Sequence, residues 1–95
     1  MPMDWAARIG LGVPLLQAPM AGVSTPALAA AVSQAGALGA IGVGAAGPER
    51  AHDMICQIRG QTAAPFNVNL FVHTAPRIDP ARDLAWLTWL GPLFA

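Results

Sequence analysis

The side chains of this sequence that can recognise or bind a small molecule gather where apolar runs end. The run Pro65 to Val72 (PFNVNLFV) carries Asn69, an amide with both a donor and an acceptor in otherwise apolar surroundings. The run Val13 to Ala18 (VPLLQA) gives way to the turn Pro19-Met20-Ala21-Gly22, so Ala18, Pro19, Met20 and Ala21 combine little bulk with one polarizable thioether. Small residues let a ligand approach the main chain, and an amide can read its polar edge. Each residue also has a plainer use: Met20 fills core gaps equally well, and a buried amide such as Asn69 caps neighbouring loops. Cys56 has no His or Asp at an obvious activating spacing and is expected to be a buried structural thiol, with His52 on the same helix solvated. His73, just past the Asn69 run, is better placed for chemistry but has no evident partner. No set of metal ligands is apparent, and no catalytic residue is assigned. The glycines of GAIGVGAAG do not spell G-x-G-x-x-G with an acid about 20 positions on, which argues against a dinucleotide site of the Rossmann type.

The elements that position these residues alternate. Val13 to Ala18 reads as a first buried strand, after which Ser24 or Thr25 offers an N-cap oxygen and Pro26 opens a helix. Leu28, Ala31, Val32 and Ala35 recur at helical spacing up to a stop at Gly36. A two-residue turn leads to a second strand, Leu38 to Val43. Pro48 and Glu49 open a second helix with Ala51, Met54, Ile55 and Ile58 on one face, closed by Arg59 and Gly60. Pro65 to Val72 is the third strand, rich in aromatic and β-branched residues. A polar loop, His73 to Ile78, precedes a helix that starts at Asp79-Pro80 and ends or kinks at Pro92, with Trp86 and Trp89 expected to pack on a sheet. Strands joined through helices by such short connections pair in parallel, which predicts an α/β fold whose ligands gather at the carboxyl ends of its strands. Those ends are Gln17 to Gly22, Gly42 to Gly44, and Asn69 to Phe71.

Composition narrows the partners. A formal net charge of zero, 11% charged residues and scattered arginines offer nothing for nucleic acid or an anionic membrane surface to grip, so small molecules remain. A hydrophobic content of 55% suits elements buried on more than one face. One cysteine in 95 residues rules out an intrachain disulfide and fits the cytoplasm, and no targeting segment is evident. Ala27 to Gly47 is uncharged and nominally long enough to cross a bilayer, but its five glycines and many alanines would gain little from lipid.

The block GVPLLQAPMAGVSTPALAAAVSQAGALGAIGVG followed by PFNVNLFV resembles the N-terminal third of the nitronate monooxygenases, formerly 2-nitropropane dioxygenases. That resemblance implies an FMN-dependent oxidoreductase that oxidises alkyl nitronates with O2 and needs no metal. Residues 1–95 would then form one domain segment, a parallel βαβαβα unit supplying the first three strand-helix repeats of an incomplete TIM (β/α)8 barrel. By the same resemblance, Asn69 matches an FMN-contacting Asn and Ala18, Pro19, Met20 and Ala21 match the flavin-facing loop. A full barrel typically takes about 250 residues and often binds phosphate after its seventh and eighth strands. The catalytic base and the FMN phosphate loops are therefore expected outside this chain, which on its own is expected to be inactive. Asn67 departs from the family pattern, standing where a Gly is expected. The resemblance leaves two other readings open, an FMN-containing enoyl-acyl-carrier-protein reductase and a non-catalytic truncated remnant, and it does not indicate an oligomeric state.

Overall fold

A computed structural model describes residues 4–95. Helix α1, Trp5–Arg8, is a single turn that the sequence reading missed. It is capped by Asp4, whose carboxylate accepts from the Ala7 N–H at 3.1 Å. Helix α2, Pro26–Gln34, starts as expected: the Thr25 hydroxyl accepts from the Leu28 N–H at 3.1 Å and Pro26 occupies the first turn. Strand β1 is Gly39–Gly42, helix α3 is Pro48–Arg59, strand β2 is Phe66–Asn69 and helix α4 is Pro80–Leu90, followed by a 3-10 turn at Gly91–Leu93.

The two strands are parallel in the register Gly39↔Phe66, Ala40↔Asn67, Ile41↔Val68 and Gly42↔Asn69, and α3 makes the crossover between them. The first expected strand is corrected to a single bridge, Leu16↔Leu38, held by Gln17 N–H to Leu38 O and Leu38 N–H to Leu15 O, both 2.9 Å. Proline limits it on both sides. Pro14 lies just upstream, and the rung beyond Gln17 would need the N–H that Pro19 lacks. The side chain of Gln17 takes over there, with Oε1 accepting from the Ala40 N–H at 3.0 Å while its buried Nε2 has no partner.

The core is a cluster of Ala29, Ala30, Ile41, Val43, Met54 and Ile58, with Phe66 and Val68 packed against it. The α3 face was read correctly. On α2 the regularly spaced apolar residues are not the inward ones: Pro26, Ala29, Ala30 and Ser33 are buried, whereas Leu28 is 40% exposed. In a helix apolar nearly all round, periodicity does not select the inward face. What selects it is close approach. A Cβ on Gly39 would collide with the Ala29 carbonyl oxygen and lie 2.6 Å from the Ser33 hydroxyl, so α2 seats directly on the strand backbone. Ser33 ties the contact together, accepting from the Gly39 N–H at 3.0 Å and donating to the Pro65 carbonyl at 2.8 Å. Three segments meet at that hydroxyl.

Beyond β2 the packing thins. Helix α4 is capped by Asp79, which accepts from the Arg82 N–H at 3.1 Å, but none of its residues is buried. Trp86 and Trp89 stack on each other with centroids 5.1 Å apart instead of packing on a sheet. The radius of gyration, 18.6 Å, exceeds the roughly 12 Å of a compact chain of this length, as a projecting segment requires. No helix among the described residues is long and apolar enough to cross a membrane.

Candidate functional site

Three stretches meet at the carboxyl end of the sheet. Gly42, the last residue of β1, pairs with Asn69, the last of β2, and the Val43 N–H donates to the Asn69 carbonyl at 3.2 Å just past the ladder. The turn after Gln17 reaches the same place: a Cβ on Gly42 would lie 2.8 Å from the Pro19 carbonyl oxygen and 3.6 Å from the Ala21 nitrogen. Only glycine leaves room for that turn. The expected site residues Pro19, Ala21 and Asn69 thus converge on one glycine, and Ala18 and Met20 belong to the same turn.

Ser24, 3% exposed, holds the turn in shape. Its hydroxyl donates to the Ala18 carbonyl at 2.7 Å and accepts from the Met20 N–H at 2.9 Å, while the Met20 carbonyl accepts from the Ser24 N–H at 2.7 Å. With the backbone fixed in this way, the Met20 side chain faces outward, 47% exposed. It is no core filler. Its thioether is free to lie against a ligand.

Strand alternation sorts the amides. Phe66 and Val68 pack against the helix-side core, so Asn67 and Asn69 face the opposite side of the sheet. Asn69 is half-buried, and its side chain makes no hydrogen bond among the described residues. An amide in that position has its donor and acceptor available for a planar polar edge. Asn67 is exposed opposite Ala40, two residue pairs farther from the rim. Phe71 lies against Gly44, and its ring centroid is 5.2 Å from that of His73, which brings His73 to this end of the sheet.

Two expectations about α3 divide. His52 is exposed, as anticipated, but Cys56 is exposed as well and its Sγ lies 3.7 Å from His52 Nε2. The spacing i, i+4 on one helix face brings them together. No group of three or more metal-ligating side chains occurs among the described residues. The sequence reading also missed a cleft of about 320 Å³ between the turn ending at Pro26 and the start of α3, bordered by Ala21, Thr25, Gly42, Arg50 and Met54. Its walls lie too far apart in sequence for any local motif to reveal them.

Comparison with known proteins identifies the family. The profile of the nitronate monooxygenase family matches residues 6–89. A nitronate monooxygenase of Pseudomonas aeruginosa is 55% identical over 87 residues, covering 92% of this chain and 25% of that protein. One from Paraburkholderia phytofirmans is 51% identical over 86 residues, covering 90% and 24% respectively. Among solved structures, nitroalkane oxidase from Streptomyces ansochromogenes superposes with a TM-score of 0.72 at 37% identity over 86% of this chain and 23% of its own. The fold is that of an α/β segment of an enzyme. The chain belongs to the nitronate monooxygenase family. It spans about a quarter of the length of the curated relatives it matches.

Proposed function

We propose that this chain supplies one part of the flavin-binding rim of an FMN-dependent nitronate monooxygenase, within the first three strand-helix repeats of a (β/α)8 barrel. The observation that carries the reading is the half-buried, unbonded amide of Asn69 paired with a glycine that seats the Ala18 to Ala21 turn. These residues fit a flavin. Asn69 would hydrogen-bond the polar edge of the ring, and the exposed thioether of Met20 with the small turn residues would lie along its flat side. When bound, FMN would supply the redox chemistry that couples nitronate oxidation to O2. The chain's own contribution is to bind and orient: Ser24 fixes the turn, Gly42 lets it approach the sheet, and Asn69 sets the angle of the ring.

Donors for the FMN phosphate and the base that removes the nitronate proton belong, on this reading, to further strands of the barrel, so the 95 residues alone turn over no nitronate. The family match favours a nitronate over an enoyl thioester as substrate. A single cysteine and a formal net charge of zero suit a cytoplasmic enzyme of small molecules.

The test is a chimera. Residues 6–89 of this chain replace the matching segment of the Pseudomonas aeruginosa relative, and FMN content, FMN affinity and nitronate-dependent O2 uptake are measured. The chimera is expected to be yellow and active, with Asn69→Leu weakening FMN binding about tenfold, the scale of one good hydrogen bond to a buried ligand. A colourless chimera, or an Asn69→Leu variant that holds FMN as tightly as its parent, would falsify the proposal.

A further inference from the structure

The cleft beside the rim has the chemistry of a second binding site. At about 320 Å³ it lies at the small end of ligand pockets, and its border combines apolar surface from Ala21 and Met54 with one cation, Arg50. Arg50 is exposed, and among the described residues no carboxylate lies within 4.0 Å of its guanidinium. It also sits in the first turn of α3, where a positive side chain opposes the helix dipole. An anion in the cleft would offset both. Across from it stands Thr25, whose hydroxyl accepts from the Leu28 N–H and keeps its own proton to donate.

We infer that this cleft binds a small carboxylate with a compact apolar group, its carboxylate on Arg50 and Thr25 and its apolar part against Met54 and Ala21. A planar, two-oxygen head matches the fork of a guanidinium. The site lies on the helix side of the sheet, since Met54 belongs to the helix-side core, whereas Asn69 faces the other side. It is thus distinct from the proposed flavin position. Gly42 and Ala21 border both, so an occupant here would brace the turn that faces the ring.

The 95-residue chain, without flavin, is titrated with benzoate and with benzamide, equal in shape and different in charge, by calorimetry and by amide chemical shifts in NMR spectra. Benzoate is expected to bind saturably and to shift the amides of residues 21–25, 45–47, 49 and 50, while benzamide does not saturate. Arg50→Gln, whose side chain makes no bond in the fold, is expected to weaken benzoate about tenfold with an unchanged circular dichroism spectrum, and Arg50→Lys to recover part of the loss. Ala45→Trp, at the exposed edge of the cleft, is expected to block binding by filling it. Equal binding of benzoate and benzamide, affinity unaltered in Arg50→Gln, or no saturation with benzoate overturns the inference. Because no step uses FMN, these outcomes are independent of those of the chimera.

Discussion

The stretch from α2 to β2 and the stretch after it contain similar proportions of apolar residues and treat them in opposite ways. In the first, Ile41 and Ile58 are fully buried, α2 touches the β1 backbone, and one serine hydroxyl joins three segments. In the second, Phe71, Val72, Leu84, Leu87 and both α4 tryptophans stand mostly in solvent. The difference teaches that hydrophobicity does not make a core by itself: apolar residues become a core only where the chain offers a facing surface. Helix α3, with no side-chain cap, finds one in α2 and the strands, while α4, capped by Asp79, finds none among the described residues.

Substitutions can break that contrast or sharpen it. The largest effect is expected at Gly39, where Gly39→Val would push α2 off the strand and abolish the cooperative denaturant transition seen by circular dichroism; a variant that still unfolds cooperatively would contradict the close seating. Next comes Ile58→Ala, expected to cost about 2–5 kcal/mol in urea denaturation, as large-to-small changes in well-packed cores do. Ser33→Ala leaves the Gly39 N–H without its acceptor and should cost about 1–3 kcal/mol by the same measurement. Smallest is Leu87→Gln on α4, expected to change stability by less than about 0.5 kcal/mol. A loss near that of Ile58→Ala would mean that α4 packs on the core after all. Hydrogen exchange should give the same ranking without mutation, with amides of residues 39–42 protected far longer than those of 81–89.

Much of this layout was legible beforehand, and the reasons are local. Thr25 with Pro26, Pro48 with Glu49, and Asp79 with Pro80 mark helix starts by chemistry that acts within one turn, and all three helices begin there. Parallel pairing followed from the order of elements. The failures share a cause: a buried Cys56 and Trp86 against a sheet each required knowing which surface lies opposite, and no spacing rule supplies that. The first strand failed for a narrower reason, two prolines whose missing N–H groups leave the pairing only one bridge long. At the candidate site, the strand-end positions of Asn69 and of the Ala18 to Ala21 turn were legible, whereas Ser24 as the clasp of the turn and Arg50 at the cleft were visible only once distant segments had been brought together.

The amide of Gln17, standing in for a missing rung of the sheet, has a consequence for how this rim can change. Bonds between peptide groups survive nearly any substitution, but this one hangs on a single side chain. Exchange of residue 17 would loosen the anchor of the neighbouring turn while the β1–β2 ladder stayed intact. The aim of the turn can therefore drift between relatives at almost no risk to the scaffold beneath it.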